Sequence, residues 1–199
     1  MPRSSTARTR LVESAARRIH ASSYAAASVE DLCADAGVQK GSFYYFFPSK
    51  RDLARAAIAE QWAGTQATIL EPAFAPDVQP LERIARFFHL VARRQRAKVE
   101  RGCPFGNLEA EMGTQDKVIR AAVRKVFDGY QAYFEQALRE AAASGSLPDA
   151  EVVSAARALV AFFQGALLLA KASNDATIID ALADRALSLA LGTHREDST

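Results

Sequence analysis

The sequence predicts an all-α protein of about nine helices. A small three-helix helix-turn-helix domain comes first and a larger helical domain follows it. Three observations carry this. Apolar residues recur at helical spacing, with no sustained period-2 alternation and no Asn-Gly or Asp-Gly hairpin signal. Gly, Pro and Ser clusters interrupt the chain at intervals: Ser22-Ser23, Gly37, Pro48, Pro72 to Pro80, Gly102 to Pro104, Gly113, Gly145 to Pro148 and Ser173 to Asp175. The first three segments between these breaks are short and the later ones long. The predicted helices cover 5–21, 28–35, 39–46, 49–70, 80–101, 104–112, 116–143, 149–172 and 175–191. The predicted domains are 1–53 and 54–199.

In the first helix Leu11, Ala15, Arg18 and Ile19 fall near helical spacing. Ser28-Val29-Glu30-Asp31 opens the second, with a carboxylate three residues past the cap in a variant capping box. Val29, Leu32 and Cys33 form its apolar face. Gly37 stops it where positive φ costs glycine little. Two short helices joined by a tight turn containing Gly describe a helix-turn-helix. The third helix puts Phe43 and Phe47 on one face, with Phe46 beside them, and these are assigned to the core. The opposite face carries Gln39, Lys40, Ser42, Tyr44 and Tyr45.

That opposite face suits a DNA groove. Gln and Lys hydrogen-bond base edges, and Ser and Tyr hydroxyls bind phosphate. Gly41 leaves room for the backbone to approach DNA. Pro48 stops the helix, and Ser49 caps the next one with Asp52 in a second Ser-x-x-Asp. Lys50, in the first turn, opposes the helix dipole, a cost that a phosphate partner offsets. The residues alone leave a second reading open, in which the unit is a plain packing element and its tyrosines are half-buried.

Composition agrees with a globular protein: 49% of the 199 residues are hydrophobic and 24% charged. The net charge of +2 says little, but its distribution says more. Residues 1–55 hold nine Lys/Arg against five Asp/Glu, whereas the remainder is net acidic. Such a split points to a polyanion-binding end. Cys33 and Cys103 make no disulfide scaffold, and no metal spacing joins them to His20, His89 or His194. The longest apolar stretch, 158–170, is short of the ~20 residues of a membrane span and contains Gln164 and Gly165. No apolar signal segment follows the basic start. The expectation is a cytoplasmic protein with no membrane partner and no cofactor. It is not an enzyme: no nucleophile–base pair, paired carboxylates, metal cluster or phosphate-binding glycine loop stands out.

From Thr9 to Leu53 the chain resembles the DNA-binding domain of the TetR family of transcriptional regulators. The residues that carry the likeness are Ala15-Ala16, Tyr24, Ser28-Val29-Glu30-Asp31-Leu32, Ala36-Gly37-Val38, Lys40-Gly41-Ser42-Phe43-Tyr44-Tyr45-Phe46, Phe47-Pro48-Ser49-Lys50 and Asp52-Leu53. Family members usually have Phe near Ile19, Gly near Ser23 and Thr near Ala27. The resemblance implies that Gln39, Lys40 and Tyr45 face base edges or nearby backbone. It implies that Ser42, Tyr44 and Lys50 hold phosphates, with Ser28 capping the second helix and touching a phosphate. Arg3, Arg8 and Arg10 form either a groove-reaching arm or a plain tail.

The last two helices are apolar nearly all round, from Val152 to Leu169 and from Ile178 to Leu189. In proteins that this chain resembles, these helices form a four-helix dimer interface, so a homodimer would read a palindromic double-stranded operator. The alternative is a pair of internal core helices. The family also places an effector pocket among the middle helices. Phe87, Phe88, His89, Phe105, Asn107, Phe127, Tyr130 and Phe163 are its candidates, with Gln131 and Gln164 as further polar groups, against the reading that each is ordinary core or surface. The segment Gly102-Cys103-Pro104-Phe105-Gly106-Asn107 resembles a Gly-Cys-x-x-Gly-Asn stretch in one branch of the family, where some relatives respond to electrophiles or small unsaturated acids. Cys103 is therefore either a thiol activated by a helix N-terminus and Arg101, or a buried small hydrophobe. The function expected is a ligand-responsive regulator, most readily a repressor released by a small apolar or electrophilic effector. The alternative is a helical ligand-binding or adaptor protein that does not read DNA.

Overall fold

The computed structural model describes residues 3–21, 23–97, 102–145 and 151–191. Lys98, Arg101, Pro148, His194 and the side chain of Arg3 lie outside the described residues. The described chain is helical in nine runs. In order they are α1 (Arg3–His20), α2 (Val29–Ala36), α3 (Lys40–Phe46), α4 (Lys50–Thr65) running through a π-helical turn (Gln66–Leu70) into α5 (Glu71–Ala73), α6 (Pro80–Arg96), α7 (Pro104–Met112), α8 (Lys117–Ala143), α9 (Val152–Ala172), and the pair α10 (Thr177–Ala181) and α11 (Ala183–Ala190).

Three expected helices differ from those found. The run expected over 49–70 loses its regular pairing at Gln66, where the N–H of Glu71 donates to the carbonyl of Gln66, five residues back. Pro72 has no N–H to continue an i−4 ladder, which accounts for the altered register beside it. The helix expected over 80–101 ends at Arg96, capped by Ala97. The last helix breaks at Leu182.

The chain packs as two compact units. The first comprises Met1–Gly64 and Cys103–Val126, so α7 and the start of α8 pack with the N-terminal helices. This differs from a division of the chain at residue 53. The reason is polar as well as apolar, because α7 and the α8 N-terminus bond the end of α1, the loop after it and Arg51 of α4. Leu11, Val12, Ala15 and Ile19 bury one stripe of α1, while Leu32, Cys33 and Ala36 bury the inner face of α2. The buried Ser14 hydroxyl donates to the carbonyl of Leu32 at 3.4 Å. Arg18, near the same helical spacing, pairs with Asp35 at 2.7 Å. Ser23 needs no left-handed backbone, and Ala27 is buried rather than available to a phosphate.

Asp116 holds the end of α8. It is buried, and its carboxylate accepts from the N–H groups of Val118 (2.9 Å) and Ile119 (3.2 Å) and from Nε of Arg51 (2.5 Å). Burial acts to raise its pKa. The Arg51 and backbone donors outweigh that and hold the carboxyl below the ordinary aspartate value.

The second unit comprises Thr65–Gly102 and Phe127–Thr199. Its centre is aromatic. The ring of Phe87 lies 4.8 Å from that of Phe163, 5.2 Å from Phe134 and 5.5 Å from Phe88, all near edge-to-face. Arg83 is buried with its charge met by Glu140 at 2.7 Å and by the carbonyl of Val78 at 2.8 Å. The buried Gln95 amide bonds both the N–H and the C=O of Gly102, whose φ of +106° suits glycine alone. By length and composition α9 is apolar enough to cross a membrane, yet only 33% of that apolar window is buried. Val153, Leu168 and Leu169 are exposed on it.

Because Asp116 is kept ionised in the folded chain, its contribution is present above the unfolded aspartate pKa and is lost as pH falls through the depressed folded value. Asp116→Ala is expected to cost about 2 kcal/mol at pH 7, from the lost cap and charge-assisted bonds. Urea melts should show the gap between wild type and variant narrowing below about pH 4.

Candidate nucleic-acid interface

The helix-turn-helix is set by its ends. The Ser28 hydroxyl accepts from the N–H of Asp31 at 3.0 Å, and the Asp31 carboxylate accepts from the N–H of Ser28 at 2.8 Å, a complete capping box. These bonds keep the Asp31 carboxyl below its usual range. Gly37 is left-handed at φ +60°, and the N–H of Val38 reaches back to the carbonyl of Cys33. The turn delivers α3, whose seven residues are anchored by Phe43 and Phe47, both buried, with ring centroids 6.1 Å apart.

The opposite face of α3 is open. Tyr45 is 79% exposed and Tyr44 53%, high values for tyrosines and contrary to a half-buried packing role. Gln39 sits at the N-cap of α3, exposed, without using its side chain as a cap. Ser42 is half-buried beside them. Gly41 is exposed, and a Cβ built there meets nothing within 4 Å. The fold itself therefore places no steric demand for glycine at that position.

Two predicted contact residues have internal partners. Lys40 forms an ion pair with Glu30 of α2. That bond lowers the Glu30 pKa and raises that of Lys40, so both stay charged. The Lys50 ammonium donates to the carbonyl of Ala25 at 3.0 Å and lies 4.7 Å from the centre of the Tyr24 ring. Burial pushes its pKa down. The fully buried Tyr24 returns a hydroxyl bond of 2.5 Å to the carbonyl of Lys50, and burial raises the phenol pKa. Lys50 thus pins the loop between α1 and α2. Ser49 and Asp52 make the second expected cap, with the hydroxyl 2.7 Å from the carboxylate.

Sequence reasoning missed the residues that clamp this unit from far along the chain. Asn107 donates from its side chain to the carbonyl of His20 at 2.9 Å, and Glu111 accepts from the N–H of Ala25 at 3.2 Å. Both lie on α7, more than 80 residues away, and no local pattern signals such a pairing. Glu30, the partner of Lys40, was legible only as a helix-start residue.

The candidate effector residues divide between the units. Cys103, Phe105 and Asn107 fall in the first, whereas Phe87, Phe88, His89, Phe127, Tyr130 and Phe163 fall in the second. Cys103 is buried at the N-cap of α7, where its sulfur accepts from the N–H of Gly106 at 3.4 Å and Pro104 follows in the first turn. Arg101, expected beside it, is outside the described residues. Phe105 is buried with its ring 6.4 Å from that of Trp62. Phe87, Phe88, Tyr130 and Phe163 form one packed aromatic cluster, and Phe127 is half-buried. His89 is exposed and bonded to Asp180 at 2.9 Å, which places it at the surface rather than in that cluster. The Asp180 carboxyl, which burial alone would raise, is held low by His89 and Arg96.

Known proteins share this architecture. Residues 11–57 match the bacterial regulatory proteins of the tetR family, and residues 80–186 match the tetracyclin repressor-like C-terminal domain. Transcriptional regulator AcuR of Cereibacter sphaeroides is 34% identical over 174 residues, spanning 85% of this chain and 78% of that protein. HTH-type transcriptional repressor DhaR of Mycobacterium sp. strain GP1 is 28% identical over 174 residues, spanning 87% and 86%. The crystal structure of regulatory protein TetR from Rhodobacter sphaeroides has a TM-score of 0.80 at 30% identity, covering 92% of this chain and 98% of that one. With the helix-turn-helix and the helical second part both matched, the chain belongs to the TetR family: it is a DNA-binding transcriptional regulator and not an enzyme.

Proposed function

We propose that this regulator is a cytoplasmic homodimeric repressor that grips a palindromic operator through α3 and releases it when a small apolar or electrophilic ligand binds. Residues 1–53 are the reading domain, and residues 54–199 bind the effector and dimerise. The observation that carries the reading is the face of α3: two exposed phenols, an uncommitted amide and a glycine with open space around it. Gln39, Lys40 and Tyr45 meet base edges, Gly41 admits the backbone, and Ser42, Tyr44 and Lys50 meet phosphates, with Ser28 at the start of α2. Lys40 exchanges Glu30 for DNA on binding.

The outer side of α9 supports dimerisation. Val153, Val160, Gln164 and Leu168 share one side of it by helical spacing, Leu169 flanks them, and Leu189 is exposed on α11. Gln164 has a buried side-chain nitrogen without a partner, and Gly165 has open space around it. The same spacing puts Arg157 and Lys171 on this side, and such a mixed face suits a second copy better than lipid. A twofold pair then presents two α3 helices to successive half-sites. Effector release requires a ligand that binds the non-DNA state better. The aromatic cluster about Phe87, Phe88, Phe127, Tyr130 and Phe163, packed here, parts to give it an apolar lining. Cys103 is the nucleophile toward an electrophilic effector, as in the branch with the Gly-Cys-x-x-Gly-Asn stretch. Asn107, four residues on, transmits a shift of α7 to the carbonyl of His20. His89 contributes at most from the rim, through Asp180.

Fluorescence anisotropy with DNA from upstream of the protein's own gene tests the reading. The expected Kd is about 10⁻⁸ M or tighter and at least ~10³ below that for unrelated DNA. Binding equal to the control would contradict it. Gly41→Ala is expected to weaken operator binding about tenfold or more, ~1.4 kcal/mol, without lowering thermal stability. Leu168→Glu should shift the sedimentation coefficient from dimer to monomer; a dimer retained with α9 charged in this way would move the interface elsewhere. N-ethylmaleimide is expected to release DNA from wild type but not from Cys103→Ser. Cys33, buried with its thiol pKa pushed up, is the slower target.

A further inference from the structure

The first unit contains a groove of about 880 Å³ that none of the roles above uses. It is formed by α1, the residue following α3, α4 and the start of α8. The lining is of two kinds. Trp62 of α4 and Val118 of α8 supply indole and aliphatic surface, with the buried Ile58 and Val126 behind them. Arg8, Arg55 and Lys125 supply three cations, against which Asp52 is the one acidic group among the lining residues. Asp52 is already engaged, bonded by the Ser49 hydroxyl at 2.7 Å and lying 3.7 Å from Arg55. The Arg8 guanidinium sits 5.5 Å from the centre of the Phe47 ring, which fixes it at one side of the groove. Lys125 is exposed and makes no ion pair among the described residues.

We infer that this groove is a second ligand site, for an amphipathic organic anion whose apolar body lies along Trp62 and Val118 and whose carboxylate or phosphate meets Arg8, Arg55 and Lys125. The volume is that of a small-molecule site, and such sites pair an apolar lining with a few placed charges. The combination selects the ligand class. A neutral hydrocarbon gains nothing from three cations. A compact inorganic anion gains nothing from an indole and its aliphatic neighbour. A duplex backbone also fits less well, because it presents charged phosphates and would leave this concave apolar surface uncovered. The site is separate from the aromatic cluster of the second unit and from the α3 face, and it stands whether or not the proposed effector binds at either.

The protein carries its own reporter, since Trp62 is its single tryptophan. Decanoate, kept below its micelle concentration, is the probe and decanol the uncharged control. Titration is followed by tryptophan emission and by calorimetry on the full chain. Decanoate is expected to shift the emission and saturate, with decanol much weaker. R55E/K125E alters two exposed side chains and leaves the core intact, as a circular dichroism melt verifies. It should raise the decanoate Kd about tenfold or more, the scale of two reversed charge contacts. Trp62→Phe should keep the calorimetric binding while losing the optical signal. Three results would overturn the inference: no emission change with decanoate, a decanoate Kd unmoved by R55E/K125E, or a loss of operator affinity in R55E/K125E with no anion binding in wild type. The last would assign these cations to the DNA backbone.

Discussion

A helix of seven residues cannot hold itself together in water, because the cost of nucleating it exceeds what so few internal hydrogen bonds return. α3 is such a helix, and the rest of the first unit exists to keep it in place. Phe43 and Phe47 tie its inner side to the core. The capping box at Ser28 and the left-handed turn at Gly37 fix where α2 ends and how α3 leaves it. Behind them Tyr24 and Lys50 bond each other across the loop, and α7 and Asp116 clamp the same region from the other side. Supported in this way, the outer side of α3 is free of structural duty. Two tyrosines can then stand in solvent at the surface of a folded protein.

The same logic explains which charges are spent and which are available. Glu30 neutralises Lys40, so the outer face of α3 carries no bare lysine at its start. A phosphate or guanine that recruits Lys40 must compete with an exposed ion pair, which is weak in water. Lys50 is more committed. Its ammonium is half-buried against Tyr24 and Ala25, so its charge supports the loop as well as any anion nearby. In the second unit the buried Arg83 is satisfied by Glu140, which reaches the surface, and by backbone carbonyls, a structural use of charge.

Much of this was legible in the sequence because it is local. A Ser followed three residues later by a carboxylate, a Gly at a helix end and a Phe pair four apart each act within one turn, and the structure contains all three. The π-turn at Gln66 and the break at Leu182 were not visible, since hydrophobic periodicity runs through both without interruption. Nor were Asn107 with His20, Glu111 with Ala25, or Arg51 with Asp116, which join residues 65 to 87 positions apart. His89 looked like a pocket residue only because its neighbours are Phe87 and Phe88. One residue further round the helix its ring leaves the aromatic cluster and meets Asp180 instead. The groove beside Trp62 was hidden for the same reason, as its walls come from three separate stretches of chain.

The proposed reading of DNA by two α3 helices of a twofold dimer is open to a single test. Selection of bound duplexes from a random library by the purified protein tests it most directly. The expected result is enrichment of one inverted repeat whose half-sites lie about 34–36 Å or a multiple apart, with affinity falling steeply as salt rises. A library that returns no enriched sequence, or a single half-site bound as tightly as the repeat, would contradict it.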